Sequence, residues 1–309
     1  MRRPGLPWPL AFALLGLIWG CSFLFIKVAV GSLSAVQVGF GRLAIGAVTL
    51  LVIAALSRTR LPRDPRIWAH LAVTGLLFCS LPGVLFAFGE QHVSSILAGI
   101  INGATPLMTL LLVLVAFPEE HPTRERMAGL GVGFAGVLVV LGVWNGFAGS
   151  ELEGVIACIA AIGCYGLAYP WTRRYLAGSG EPPVAIATGQ VLTGALFLAP
   201  LFLVDLVANG APAPTKDALL ALIALGMLSS GIAYVLAARL IIVAGSTVAS
   251  TVTYVTPVVA VVMGILVLGE PIEWYEPVGA AIVLAGVAIA QGRIRLGRRA
   301  AVPAGAGTP

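Results

Sequence analysis

Ten apolar stretches, each close to the roughly 20 residues a helix needs to cross the hydrocarbon core of a bilayer, follow one another along this sequence. They run over 9–30, 36–56, 67–88, 94–117, 127–144, 154–170, 184–204, 218–240, 247–268 and 276–291. The breaks between them hold the Pro-rich and charged segments, such as 58–66 and 209–216. Only 10 % of the 309 residues are charged, against roughly a quarter in a soluble domain. The mean hydropathy is +1.01. These values exclude a cytosolic enzyme, a disordered chain and a nucleic-acid binder, in spite of a net charge of +5. Irregular backbone cannot face lipid, and the stretches lack the alternation of a β-barrel. The expected fold is an all-α polytopic membrane protein with ten transmembrane helices, whose first partner is the lipid bilayer.

Lys and Arg concentrate on the cytoplasmic side of membrane proteins. With both termini inside, fifteen of the 18 cations fall in inner segments, including Arg2, Arg3, the arginines of 58–66, Arg173, Arg174 and the cluster from Arg293. Only Lys216 falls outside, while Lys27 and Arg42 lie within spans. Both termini are therefore expected in the cytoplasm. The excess of Arg over Lys, with abundant Ala and Gly, points to a GC-rich bacterial genome and an inner membrane. Arg2-Arg3 before Ile18-Trp19-Gly20-Cys21 has the outline of a lipoprotein signal. Trp19 is too bulky for that cleavage box and the apolar run continues past Cys21, so the first helix is expected to stay. The four cysteines, Cys21, Cys79, Cys158 and Cys164, fall inside spans without a Cys-x-x-Cys pair. No disulfide framework, metal site or cofactor is expected from them. The tail over 293–309 reads as a basic, disordered cytoplasmic segment.

The halves of the chain resemble each other. At an offset of 151, Pro106 meets Pro257, Ser95 meets Ser246, Thr105 meets Thr256 and Glu119 meets Glu270. At 150, Gly129, Gly136 and Gly142 meet Gly279, Gly286 and Gly292. At 146, Trp19-Gly20 meets Tyr165-Gly166 and Lys27 meets Arg173. Each half, 8–144 and 152–292, holds five spans. Five is odd, so the second copy enters the membrane from the opposite side, as the charge count independently requires. Inverted repeats are an architecture of secondary transporters, with the substrate near the midplane, and paired Pro-interrupted spans point to the pathway. Pro106 and Pro257 are the candidate kinks or hinges.

Gly-Leu-Ile-Trp19-Gly20-Cys-Ser-Phe, Ala-Thr105-Pro106-Leu, Leu228-Ser-Ser-Gly231-Ile-Ala-Tyr234, and Thr256-Pro257-Val-Val-Ala with Leu268-Gly269-Glu270-Pro271 together resemble EamA-type proteins of the drug/metabolite transporter superfamily. The resemblance covers about 8–292. It implies ten helices in inverted repeats, cytoplasmic termini, and export of amino acids or other small metabolites. Phe117-Pro118-Glu119 departs from the Leu-Gly-Glu of the other half.

Polar and aromatic side chains deep within spans are the candidates to line a substrate pathway. Trp19, Arg42, Asn102, Tyr165, Gln190, Tyr234 and Tyr254 fit this description, since each can stack on or hydrogen-bond a small solute; interhelical hydrogen bonding is the competing role. Lys27 and Arg42 can attract an anionic group such as a carboxylate. Alternatively, Lys27 snorkels to the interface and Arg42 pairs with a helix C-terminus or Glu90. Every Asp, Glu and His falls at a span end or in a loop, with Glu90 at a mouth, which disfavours proton coupling through a buried carboxylate. Gly-x-x-x-Gly patterns such as Gly129-x-x-x-Gly133 allow close helix approach; they leave a homodimer open without requiring one. No phosphate-binding loop accompanies either lysine, and no nucleophile lies beside a base, so a pump driven by ATP or an enzyme is not expected. A drug or lipid flippase and a non-transporting receptor or scaffold are the alternatives.

Overall fold

A computed structural model describes residues 7–116, 123–145, 149–210 and 213–293, and among them every regular element is helical. The α-helices are α1 (Trp8–Ala29), α2 (Ala35–Leu56), α3 (Pro65–Thr74), α4 (Leu81–His92), α5 (Ser95–Gly103), α6 (Thr105–Ala116), α7 (Arg124–Val140), α8 (Gly149–Trp171), α9 (Pro183–Asn209), α10 (Lys216–Ala224), α11 (Ala233–Ser250), α12 (Val255–Met263) and α13 (Tyr275–Ala290). π-Helical turns, Gly75–Ser80 and Leu225–Ile232, join α3 to α4 and α10 to α11. Six segments are long and apolar enough to cross a bilayer, and the pair α5–α6, bent by 42°, supplies a seventh; Val252–Leu268 and Tyr275–Ala290 are apolar but shorter. Large apolar side chains such as Leu196, Leu203, Val207 and Leu266 are exposed on the outside of the bundle, where acyl chains would cover them. Phe117-Pro118-Glu119 and the tail from 294 onward lie outside the described residues.

Polar residues just before the apolar runs start the helices. Ser34, Asp64, Ser94, Thr123 and Thr215 each accept a hydrogen bond from a free backbone N–H of the first turn. Ser34 forms a reciprocal box with Gln37, and both side chains also bond Asp205 of α9. The largest difference from expectation is at α11, which runs on to Ser250, past the break placed after 240. No proline or charge interrupts the chain between Arg239 and Pro257 to stop it sooner.

Glycine sets the helix spacing. A Cβ on Gly129 of α7 would lie 2.6 Å from the Gly286 carbonyl oxygen, and one on Gly136 3.0 Å from that of Gly279. Reciprocally, Cβ atoms on Gly286 and Gly279 of α13 would meet the carbonyl oxygens of Gly129 and Gly136 at 2.8 and 2.9 Å. Contacts recur elsewhere at offsets of 146, 151 and 148. Gly20 of α1 faces Val259 of α12, while Gly166 of α8 faces Met108 of α6. Gly226 faces Ile45 and the Arg42 carbonyl, while Gly75 faces Thr193 and the Gln190 carbonyl. Two buried clusters, one around Ile26, Phe86 and Ile96 and one around Leu43, Phe78 and Val191, are bridged by Tyr165, which packs against both.

Candidate functional site

One cavity lies where α1, α2, α4, α5 and α8 converge with the π-helical turn Gly75–Ser80, the start of α11 and the turn before α12. Trp19 opens its wall on α1, and Ser22, Phe23 and Ile26 share its face because residues three, four and seven apart lie on one side of a helix. Tyr165 and Tyr169 repeat the four-residue step on α8. Phe78 is the centre of the aromatic wall. Its ring centroid lies 5.0 Å from that of Tyr169, 5.2 Å from Tyr165, 5.6 Å from Tyr234 and 6.3 Å from Trp19. The Tyr169 and Tyr234 rings meet it edge-on, the geometry that aromatic quadrupoles favour. The Tyr234 hydroxyl donates to the Phe78 carbonyl oxygen at 2.9 Å, so the irregular backbone of the turn is tied to α11. Such π-helical turns recur at functional sites because they free carbonyl groups and redirect side chains.

The polar part of the wall is small. Arg42 is 8 % exposed, and its Nε donates to Ser230 Oγ at 2.9 Å. Ser230 sits in the second π-helical turn, brought close to α2 because Gly46 leaves room for its Cβ. The Arg42 stem passes over Gly83, where an added Cβ would lie 3.8 Å from its Cδ. Among the described residues no Asp or Glu forms an ion pair with Arg42, which lines the cavity, although the buried Glu90 carboxyl faces it from behind. Asn102 closes another side. Its Nδ2 donates to Thr256 Oγ1 at 3.3 Å, linking α5 to α12 just before the bend at Ala104. Gly103 packs on Pro257, whose Cγ would lie 2.7 Å from an added Cβ.

Of the seven pathway residues expected from sequence, the cavity gathers Trp19, Arg42, Asn102, Tyr165 and Tyr234. Gln190 is buried in α9 away from the lining. Tyr254 also stands outside it, because the 3₁₀ turn Thr251–Tyr254 presents Thr253 to the cavity instead. Phe23, Phe78, Phe86 and Tyr169 line the space without having been singled out. Phe23 and Tyr169 were readable as one helical turn beyond Trp19 and Tyr165. Phe78 and Phe86 carried no signal, since nothing in an apolar run distinguishes a cavity phenylalanine from a packed one.

Two expectations about charge need correction. Lys27 does not present its ammonium to a vestibule or snorkel. It donates to the carbonyl oxygens of Glu90 and Val93, both at 2.7 Å, and so caps the C-terminus of α4, where the helix dipole favours a cation. Glu90 is not at a mouth. It is fully buried, because α1, α8 and the start of α5 pack around that last turn. Beside it, the Glu270 carboxylate accepts from Ser95 N at 3.0 Å, Ser95 Oγ at 2.8 Å and Ile96 N at 3.2 Å, holding the N-terminus of α5.

A solved crystal structure aligns with 93 % of this chain and 96 % of its own at a TM-score of 0.66 and 20 % sequence identity, which places the fold. A protein of Streptantibioticus cattleyicolor named a probable terminal-alkyne amino-acid exporter is 30 % identical over 94 % of both chains. The transporter YdfC of Bacillus subtilis is 24 % identical over 93 % of this chain and 92 % of its own. The inner membrane transporter YedA of Escherichia coli K12 is 26 % identical over 91 % and 90 %. The EamA-like transporter family matches twice, over residues 6–142 and 152–291. This polytopic membrane protein belongs to the EamA-like transporter family.

Proposed function

We propose that this protein exports amino acids, or small metabolites closely similar to them, as a secondary transporter of the inner membrane. The chain crosses the membrane ten times with both termini in the cytoplasm, as two inverted five-helix repeats over 8–144 and 152–292. Rocking of one repeat against the other about Pro106 and Pro257 exposes the cavity to each side in turn. The paired family matches and the glycine contacts that recur at matching offsets support the repeats.

The observation that carries the substrate class is Arg42, a buried cation lining the cavity with no carboxylate bonded to it among the described residues. A cation in such a place is costly unless a counter-charge reaches it. A carboxylate on the substrate supplies that charge and fits the planar guanidinium, which already holds Ser230 through Nε. The aromatic wall around Phe78 then takes an apolar side chain, and Ser22, Asn102 and Thr253 offer hydrogen bonds to an amino group. The name of the Streptantibioticus relative, a probable terminal-alkyne amino-acid exporter, supports the same class.

The test compares metabolites in the medium of cells carrying the intact protein, an empty vector, or equally expressed Gly103→Trp and Arg42→Gln variants. Gly103→Trp drives an indole into Pro257 and blocks the site. An apolar amino acid accumulating outside only with the intact protein supports export. Equal media in all four cultures, with the protein correctly inserted, would sink it.

A further inference from the structure

We propose that Glu90 is a proton-binding site, and that its proton is exchanged for the exported molecule during the transport cycle. The second half of this proposal rests on the export function above; the first half does not.

The geometry around Glu90 is that of a carboxyl group held without partners. The residue is 0 % exposed, and both carboxyl oxygens are buried with no hydrogen-bond partner among the described residues. An ionised carboxylate so placed has neither solvent exposure nor a hydrogen bond to hold its charge, and burial of that kind disfavours the charged form. The nearest cation does not solvate it: Lys27 gives its bonds to the main-chain oxygens of Glu90 and Val93. The charged and titratable groups facing Glu90 are Lys27 from α1, Arg42 from α2, Glu270 from the segment after α12 and Cys158 from α8. Cys79 of the neighbouring π-helical turn lies against Tyr234 and Arg42 instead. His92, on the same helix as Glu90, has its Nδ1 on the Phe88 carbonyl, and α5 carries no titratable side chain. The neutral acid, with its proton on one oxygen, is the form this conformation accommodates.

Position makes the proton part of the cycle. Phe86, one helical turn before Glu90 on α4, lines the cavity, as does Ile26, the neighbour of Lys27. Glu90 therefore lies one layer behind the cavity, at an end of the bundle that Lys27 and Glu270 hold closed across α1, α4, α5 and the segment after α12. Separating those elements frees the Lys27 ammonium and admits water, and either stabilises the carboxylate. Opening this end releases or takes up the proton, and closing it demands the acid form. A group whose protonation differs between two conformations couples the proton to their equilibrium. The balance is one proton bound from one side and delivered to the other, against one amino acid carried the opposite way.

The experiment uses the full-length protein. Infrared difference spectra of wild type against Glu90→Gln in nanodiscs at neutral pH report the protonation state directly, without any substrate. A protonated-carboxyl band present in wild type, lost in Glu90→Gln and kept in Glu90→Asp supports the site. A carboxylate band in that difference overturns it. Proteoliposomes loaded with a pH-sensitive dye and labelled L-phenylalanine or L-propargylglycine then test coupling. Wild type is expected to acidify the lumen as the amino acid leaves, and folded Glu90→Gln to lose that acidification. Amino-acid efflux by wild type without proton entry, or with dependence on sodium, overturns the coupling and leaves export standing. If neither amino acid moves, the export function loses these substrates while the infrared result still decides the site.

Discussion

Replacing Gly286 by alanine puts the spacing of α7 and α13 to a quantitative test. The new Cβ would lie 2.4 Å from Gly133 N, 2.6 Å from Gly133 Cα and 2.8 Å from Gly129 O. Ordinary contact starts near 3.4 Å, so the helices must separate by about 1 Å. The obstacles are main-chain atoms on both sides, and no rotamer change relieves them. Separation also loosens the reciprocal contacts at Gly129, Gly136 and Gly279. Overpacking of a close-packed interior costs about 1–3 kcal/mol, and rigid obstacles place this case at the upper end. With about 2–4 °C per kcal/mol, thermal unfolding in one detergent should fall by about 5 °C or more. Gly131 is the control, for it lies in α7 with nothing within 4 Å of an added Cβ. Gly131→Ala should leave the midpoint unchanged or raise it, since alanine is favoured over glycine in a helix by about 0.5–1 kcal/mol. Equal midpoints for the two variants would refute the argument from backbone contact.

Other perturbations address the cavity and its closed end. Arg42→Lys should reduce amino-acid export at least about tenfold, because an ammonium cannot hold Ser230 and a planar carboxylate together; unchanged export would remove Arg42 from the substrate site. Phe78→Ala should destabilise the protein by about 3–5 kcal/mol, whereas Tyr234→Phe, which loses one bond and keeps the ring, should cost only about 0.5–1.5 kcal/mol; denaturation of both variants separates the terms. Glu270→Gln replaces charge-assisted bonds to the start of α5 with weaker ones, at about 1–2 kcal/mol, and hydrogen exchange over Ser95–Gly103 should speed up.

Much of this molecule was legible in the sequence because lipid imposes a coarse rule. Span length and the polar breaks gave several helix starts closely, where the capping residues Ser34, Asp64, Ser94, Thr123 and Thr215 mark them, and missed ends such as that of α11 where nothing polar marks one. The close approach of α7 and α13 was legible for a related reason: glycines there tolerate no side chain, so Gly129, Gly136, Gly279 and Gly286 stand at matching positions. What could not be read depends on side-chain direction. Glu90 is close to a helix end in sequence, and only the packing of α1 and α8 around that turn shows it to be buried. Tyr254 and Thr253 are adjacent, and a 3₁₀ turn decides which of them meets the cavity. Lys27 looked like a free cation because the carbonyls that hold it belong to a helix more than 60 residues away.

Glycine contacts recur at matching positions of the two halves while the polar chemistry of the cavity does not, and for the proposed function that contrast points to Arg42. Trp19 and Phe23 have aromatic mates in Tyr165 and Tyr169, and all four line the cavity. Arg42 has Gln190 at the equivalent place, with Gly226 against one main-chain carbonyl and Gly75 against the other. Yet only Arg42 reaches the cavity. In the proposed export cycle, a symmetric frame would let equivalent contacts exchange roles between the halves, whereas a single cation would fix where one carboxylate sits and in which orientation. It follows that a cation moved to the equivalent position does not replace the original. Gln190→Arg should fail to restore export to Arg42→Gln, even where both proteins are equally stable and equally expressed. Recovery in the double variant would mean that the two positions address the substrate alike, and that the asymmetry of the cavity carries no specificity.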